Sequence, residues 1–520
     1  MPYAFGARFE QEKECLPGTR ESFLRDICNV LNDPEEDASR VCLLTGVAGS
    51  GKSAVAQTIA RLYNEQERLG SSYCFASSDI AMRNPQNLFS TIARNLADHD
   101  PQYKSALWSV VKGNRALRTS QSPSQQVESF IIEPSKHLNS IGPLLVVIDG
   151  LDESGDPASR RNILQAISKQ IARNTFPTHL RFLITTRPEI DILDELPPCP
   201  QIIHKRMSDI PPDMVDRDIE TFLRRFFSDY PRRLAKLERH WPNREWCRLL
   251  VHHSQGLFQW ASTACNFIRG DGAGGLSLRE RFELVTDDDG KGLYPLDKLY
   301  RTILAQQFKL DKAICNFRAV MAVVFALNEP LSITSLSTLF GNDLSVRDVI
   351  NPLGSLLDGA LDEEKPIRPL HTSFRDFLLD EARSSTFHIS IQPQHSLCLG
   401  RTLLACMRKM LRFNIIDLKD PRVRNNAIPD LPTRVNDAVP AHLAYSCQHW
   451  MHHLQYSDCA EDLLNEVTCF FKDFLPYWLE VISLLSLSSP LPSIQSALET
   501  CEILKEWAKV RITMVISGKY

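Results

Sequence analysis

The chain has 520 residues, of which 43% are hydrophobic and 23% are charged, and its formal net charge is -4. This length exceeds what one hydrophobic core supports and predicts about three or four domains. The composition is that of an ordinary globular protein and excludes a disordered chain. The slightly negative charge argues against a general nucleic-acid-binding surface, so we expect no nucleic-acid partner.

The cysteines and apolar runs bear on the cellular compartment. Fourteen cysteines are scattered along the chain without any C-x-x-C pair, which favours reduced thiols over a disulfide framework. The N-terminus has no signal-peptide core, and the apolar runs are short or interrupted by charge. We therefore expect a cytoplasmic protein with no membrane partner.

A glycine-rich loop follows the first apolar run. Residues 21–31 have helical spacing, 41–44 predict a buried strand, and 54–64 predict a helix. Between the strand and the second helix lies GVAGSGKS, a Walker A pattern whose glycines let main-chain N–H groups surround phosphates. A chance match in a turn is the alternative, and the flanking strand and helix disfavour it. The predicted nucleotide-binding residues here are Gly46, Gly49, Ser50, Gly51, Lys52, Ser53 and Ala54.

A lysine and a serine of this loop, together with an acidic strand end, predict the phosphate and metal site. Lys52 is expected to neutralise the β and γ phosphates, and Ser53 to supply a hydroxyl ligand to Mg2+. The apolar run 144–149 ends in Asp149, which we expect to hold Mg2+. Asp152 and Glu153 follow and are expected to orient or deprotonate a hydrolytic water. The competing interpretation is a buried strand capped by an acidic turn.

A further apolar run, 180–186, is followed by Arg187, which could reach the γ-phosphate. The alternative interpretation of Arg187 is a solvated arginine beside Pro188 in a turn. Additional strands are predicted at 72–76 and 201–204. Strands and helices therefore alternate across 21–206, which predicts an α/β domain with the doubly wound parallel sheet of a P-loop NTPase.

The rest of the chain is mainly helical. A small helical domain is predicted over 207–275, a winged-helix-like domain over 290–385, and a C-terminal helical domain over 386–520, after an N-terminal segment 1–20. Within the second of these, helices are expected at 313–327, 332–340 and 345–357, followed by a hairpin-like stretch and His371. A winged helix keeps DNA binding open as an alternative.

One cluster in the last domain could hold a metal. Cys447, His449, His452 and His453 lie within two helical turns. Amphipathic packing of the neighbouring apolar residues explains the same segment without a metal.

The motifs as a set resemble the NACHT-type NTPases of the STAND class, particularly the large group in mushroom-forming fungi. They are CLPGTR, GVAGSGKSAVAQTIA, LLVVIDGLDES, RFLITTRPE, GLFQWAST, PLHTSFRDFLLD and AHLAYSCQHWMHHL. The resemblance implies an ATP/ADP switch with Mg2+ and weak, slow hydrolysis, in fungal innate immunity or self/non-self recognition. It gives Lys52 and Ser53 the Walker A roles, Asp149 the metal role and Arg187 a sensor role.

The resemblance also assigns roles outside the sheet domain. It places Gly256 and Leu257 at a nucleotide contact of the helical domain, although the proline often found there is absent. It implies that His371 touches the β-phosphate of ADP and locks a closed state; a packed core histidine is the alternative. It implies a homo-oligomer in the ATP state and protein partners that the residues do not identify.

Members of this class usually carry an N-terminal effector domain and a C-terminal sensor of repeats, and neither is recognisable here. A minimal member, a truncated product and a fragment stay open. The alternatives for function are an AAA-like ATPase associated with DNA and a non-hydrolysing nucleotide-bound scaffold.

Overall fold

The computed structural model describes residues 13–485 except for short gaps. The gaps are 36–37, 76–84, 115–116, 118–119, 121, 139–141, 174, 229–243, 271–274, 288–293, 342–344, 421–422 and 455–460. Of the predicted N-terminal segment 1–20 and C-terminal domain 386–520, residues 1–12 and 486–520 therefore lie outside the described residues. The chain divides into two compact units. The first comprises the described residues of Met1–Gly270, Leu276–Thr302 and His371–Phe374, and the second the remainder.

The first unit is built on a parallel sheet. Its strands are β1 Val41–Thr45, β2 Leu69–Cys74, β3 Leu144–Asp149, β4 Leu180–Thr186 and β5 Ile202–Arg206. Their order across the sheet is β2-β3-β4-β1-β5, and every neighbouring pair is parallel. All five strands were expected from the sequence, and the α/β class is confirmed.

Every residue of β1, β3 and β4 is buried. Continuous apolar runs of this kind form strands that are covered on both faces, whereas half-exposed strands alternate. In the registers, Leu43 pairs with Ile184 and Val146 with Phe182. The core lies around these residues, and helix Lys52–Glu65 packs against β2, β3 and β4. The carboxyl ends of all five strands consequently lie at one edge.

The second strand begins at Leu69, three positions before the predicted start at Ser72. Gly70, Ser71 and Ser72 are buried in the sheet. A Cβ at Gly70 would lie 2.7 Å from a methyl group of Leu96. The predicted start at Ser72 was wrong because small polar residues do not signal a strand. Their small size nevertheless suits the close contact with Leu96.

Helices make up most of the rest of the first unit. They are Glu21–Leu31, Lys52–Glu65, Leu88–His99, Pro101–Gly113, Pro123–Gln126, Glu133–Ser135, Pro157–Ala172, Ile190–Glu195, Pro212–Ser228, Arg244–Ser254, Phe258–Arg269 and Leu278–Thr286, with a π-helical stretch at Val127–Ile132. Helix Pro101–Gly113 was not predicted. The sequence does contain a helix-start signal there, Asp100 followed by Pro101. The Asp100 carboxylate accepts hydrogen bonds from the N–H groups of Gln102 and Tyr103, and Pro101 occupies the first helical position.

The second unit is helical with one small hairpin. Its helices are Asp311–Ala326, Ile333–Phe340, Val346–Ile350, Glu381–Ser384, Pro393–Met410, Leu431–Ala438, Ala441–Leu454 and Glu461–Leu484. Two further helices, Pro295–Gln307 and Thr372–Leu379, contribute residues to both units. Strands β6 Leu357–Asp358 and β7 Arg368–Pro369 pair antiparallel.

The helix predicted at 345–357 is shorter in the structure. It ends at Ile350, and a 3-10 turn follows at Asn351–Leu353. Pro352 explains the difference, because it lacks the N–H group that would continue the helical hydrogen bonds. Leu357, which completed the apolar helical pattern, instead begins β6. Among the described residues, no helix is both long and apolar enough to cross a membrane.

We predict that Leu43→Ala destabilises the first unit by about 2–5 kcal/mol, since it removes a fully buried side chain from the middle of the sheet. Thermal unfolding should show a midpoint lower by about 2–4 °C per kcal/mol. Ile190→Ala is the matched control, because Ile190 is 77% exposed. Equal shifts in the two variants would contradict this account of the core.

Candidate functional site

The loop between β1 and helix Lys52–Glu65 has a conformation that requires glycine. Gly49 and Gly51 have φ angles of 79° and 97°, in the left-handed region that residues with a side chain seldom adopt. A Cβ at Gly49 would also lie 2.9 Å from Cβ of Gln259. Gly51 caps the helix, and the first N–H groups of an α-helix have no intrahelical partner. The loop therefore presents a helix N-terminus suited to an anion.

The Lys52 ammonium lies back across this loop. Nζ donates to the carbonyl oxygens of Gly46 at 2.8 Å and Val47 at 3.1 Å. Burial lowers the pKa of Lys52, and the negative charge that most opposes this shift is the Asp152 carboxylate. The structure thus holds a cation at the loop, with the carboxylates of Asp149 and Glu153 also close enough to favour its charge.

The Asp149 carboxylate is held in one orientation by its neighbours. It is 2% exposed, at the end of β3. Its Oδ1 accepts from the hydroxyls of Ser53 at 3.1 Å and Thr185 at 2.5 Å, and its Oδ2 accepts from the Cys74 thiol at 3.6 Å. A carboxylate beside a hydroxyl is an oxygen donor set of the kind that Mg2+ takes. Thr185 and Cys74 were not singled out from the sequence, because neither has a motif signature of its own.

Asp152 and Arg187 form an ion pair at the same edge. The Arg187 main-chain N–H donates to Asp152 Oδ1 at 3.0 Å, and its Nε lies 3.0 Å from Oδ2. The other side of the guanidinium donates from Nη2 to the Thr372 hydroxyl at 3.2 Å. Glu153 lies in the 3-10 turn Leu151–Glu153. Both oxygens of Asp152 are thus engaged by Arg187.

His371 lies near this group despite its distance in sequence. Its ring is partly buried, and its Nδ1 accepts from the Ser373 main-chain N–H at 3.1 Å. Burial, reinforced by the positive charges of Lys52 and Arg187, lowers the pKa of His371 to about 3. The ring is therefore neutral at physiological pH. Since Nδ1 is the acceptor, its proton resides on Nε2.

A cavity of about 890 Å³ opens beside the loop. Gly46, Val47 and Ser50 of the loop line it, as do Gly256 and Leu257. Gly256 has a φ of 78°, and the following helix begins at Phe258. The volume is in the range of small-molecule sites. Ala54 lies in the first turns of helix Lys52–Glu65.

Arg20 also borders this cavity, and sequence reasoning gave it no role beyond its place in CLPGTR. It is 6% exposed. Its Nη2 donates to the Ser50 carbonyl oxygen at 3.4 Å, its main-chain N–H donates to Asp218 Oδ2 at 3.1 Å, and its guanidinium lies 5.0 Å from the centre of the Phe258 ring. Its buried Nη1 has no hydrogen-bond partner among the described residues. An unsatisfied donor beside a cavity fits a ligand that brings acceptors.

Two histidines of helix Ala441–Leu454, His449 and His453, have protein partners in the second unit. His453 contacts the Tyr445 hydroxyl through Nε2 at 2.8 Å and Ser396 Oγ through Nδ1 at 3.2 Å. His449 Nε2 lies 3.4 Å from a Glu329 oxygen. No group of three metal-binding side chains occurs within the described part of the chain.

Comparison with protein families gives a match over part of the chain. The family model described as Nephrocystin 3, N-terminal matches residues 18–187. The match contains the loop, Asp149, Asp152 and Arg187, and it ends before Gly256 and His371. A comparison with curated protein sequences finds no match. The first part of the chain is therefore similar to this family.

The lowered pKa of His371 predicts that the free energy of unfolding depends on pH. Its folded-state pKa of about 3 lies below the ordinary value of 6.5, so the unfolded chain binds more protons between these values. The free energy of unfolding should therefore fall as pH is lowered through this window, by at most about 1.4 kcal/mol per pH unit for one proton. We expect His371→Gln to lose less stability than wild type between about pH 7.5 and about pH 5.5.

Thermal unfolding at the two pH values measures this difference. The pKa of His453 is also lowered to about 3 by burial, but His453 is present in both proteins and its contribution cancels. Identical losses in wild type and variant would show that His371 titrates normally in the folded protein.

Proposed function

We propose that the chain is an ATP/ADP-binding switch of the NACHT, STAND class, with slow hydrolysis. The observation that carries the proposal is the convergence of the Gly46–Ser53 loop, Asp149, Arg187 and His371 around Lys52, beside a cavity of about 890 Å³. These residues come from separate parts of the sequence, and a purely structural loop would not require them together.

The proposed domain type is the doubly wound sheet of a P-loop NTPase. The strand order supports it, because the phosphate loop follows β1 and the acidic residue follows β3, with β4 between them. The hairpin β6–β7 and the helices before it support the proposed winged-helix-like domain. These features agree with the motif order on which the resemblance rests.

Lys52, Ser53 and Asp149 would hold the phosphates and Mg2+. Bound Mg2+ supplies positive charge that orders and neutralises the phosphates. On the protein side, Lys52 Nζ has two carbonyl partners in the loop and could exchange them for phosphate oxygens. The Ser53 hydroxyl lies 3.1 Å from Asp149 Oδ1. These two oxygens are therefore close enough together to bind one cation.

The Asp152–Arg187 pair supports slow hydrolysis. Both oxygens of Asp152 are already engaged by the guanidinium and the main-chain N–H of Arg187, which leaves this carboxylate less available to bind a water. Glu153 is then the residue that we propose orients or deprotonates the attacking water. The same pairing also favours a second candidate function, a scaffold that keeps its nucleotide without hydrolysis.

His371 would report which nucleotide is bound. Its neutral ring carries a proton on Nε2, so it can donate a hydrogen bond while adding no charge to the site. Arg187 would sense the γ-phosphate, and its contact with Thr372 links that sensor to the segment that carries His371. Domain opening, assembly of the ATP form, and a role in fungal immunity or self/non-self recognition are proposed from the motif resemblance.

We predict that Lys52→Ala weakens ATP and ADP binding by about tenfold to a hundredfold, because it removes a charge-assisted hydrogen bond worth about 1.5–3 kcal/mol. Titration calorimetry and identification of the co-purifying nucleotide measure this. Lys136→Ala is the control, since Lys136 lies in the same unit and pairs with Glu133 at the surface. Unchanged binding in Lys52→Ala, or no binding by wild type, would refute the proposed function.

Turnover separates the two candidates. If the protein hydrolyses ATP, Glu153→Gln should lower the rate by about a hundredfold or more, as expected for loss of a general base, while binding persists. A scaffold would show no phosphate release in either protein. A variant as active as wild type would exclude Glu153 from the reaction.

A further inference from the structure

His371 is the last member of a chain of hydrogen bonds in the first unit. The Tyr300 hydroxyl lies 2.8 Å from Ser373 Oγ, and this oxygen lies 2.7 Å from His371 Nδ1. The Ser373 main-chain N–H also points at Nδ1, at 3.1 Å. Tyr300 and Ser373 are 1% and 3% exposed, so both hydroxyls are shielded from water.

The Ser373 main-chain N–H sets the direction of these hydrogen bonds. A main-chain N–H can only donate, so Nδ1 accepts and carries no proton. The Ser373 hydroxyl must then also donate to Nδ1, which leaves its oxygen to accept from the Tyr300 hydroxyl. The chain therefore runs from Tyr300 through Ser373 to His371, and the Ser373 hydroxyl adds to the main-chain N–H in favouring the tautomer with its proton on Nε2.

The surrounding contacts hold this arrangement in place. The Tyr300 ring packs edge-on against Phe374, with ring centres 5.1 Å apart. On the other side, Thr372 accepts from Arg187. Each residue of His371–Phe374 thus has a distinct contact, which gives a physical role to every position of the H-T-S-F sequence.

We propose that Tyr300 and Ser373 are positioning residues that fix His371 as an Nε2–H donor for a phosphate oxygen of the bound nucleotide. In the opposite tautomer, Nε2 would present a lone pair, which repels a phosphate oxygen. This role rests on the proposed function, but the tautomer itself does not. A merely structural role for the two hydroxyls would affect stability and leave the tautomer unchanged.

The first test is nitrogen NMR of the nucleotide-free full chain with 15N-labelled histidine, at about pH 7.5 where the ring is neutral. His371→Gln identifies the signals. Wild type should show His371 as the Nε2–H tautomer, and Tyr300→Phe with Ser373→Ala, which keeps the main-chain N–H of residue 373, should show a raised share of the Nδ1–H tautomer. An Nδ1–H tautomer in wild type, or unchanged signals in the double variant, would overturn the proposal.

The second test measures ADP release from full-length protein loaded with ADP and Mg2+. We expect Tyr300→Phe to speed release by about two- to tenfold, the range expected for one hydrogen bond. In the His371→Gln background, the same substitution should have no further effect. Equal effects in both backgrounds would show that Tyr300 does not act through His371.

Tyr63→Phe is the matched control. Tyr63 is as buried as Tyr300 and lies in the same unit, but its hydroxyl has no hydrogen-bond partner among the described residues. Its removal should alter neither the histidine signals nor the release rate. If wild type binds no ADP, the proposed function fails and the NMR result alone decides the tautomer. If ADP binds but the coupling is absent, only the positioning role fails.

Discussion

The parallel pairing of β3, β4 and β1 is the constraint on which the rest of the site depends. Because the three strands are neighbours and run in the same direction, their carboxyl ends place the Gly46–Ser53 loop, Asp149 and Arg187 at one edge. Burial of every residue in these strands holds that edge rigid. A rigid sheet can keep charged groups close together where a flexible loop would let them separate.

Charge balance explains the state of each group at this edge. Lys52 is a buried cation whose charge is favoured by nearby carboxylates, and Arg187 is neutralised by Asp152. Another positive charge would be unfavourable beside them, and His371 is accordingly neutral. Burial is the main cause of its lowered pKa, and the positive charges of Lys52 and Arg187 lower that pKa further. The imidazole can therefore contribute a hydrogen bond without competing with Lys52 for counter-charge.

Two arginines connect the carboxyl edge of the sheet to segments outside it, one of them buried and the other 25% exposed. Arg20 contacts the loop at Ser50 and helix Pro212–Ser228 at Asp218. Arg187 contacts Asp152 at the end of the sheet and Thr372 ahead of Ser373. A ligand that changes the position of either arginine would alter both contacts of that side chain together. Such double contacts physically link the edge of the sheet to helix Pro212–Ser228 and to the segment that carries His371.

The sequence by itself determined the sheet and the residues at its carboxyl edge, because apolar runs and a glycine-rich turn are local signals. It did not determine the start of β2, the end of the helix at Ile350, or the roles of Thr185, Cys74 and Arg20. Those depend on close packing, on a proline within an apolar pattern, and on contacts between distant residues. Only the tertiary structure decided that Tyr300 reaches Ser373 and that His371 is neutral, because burial and neighbouring charge exist only in the folded chain.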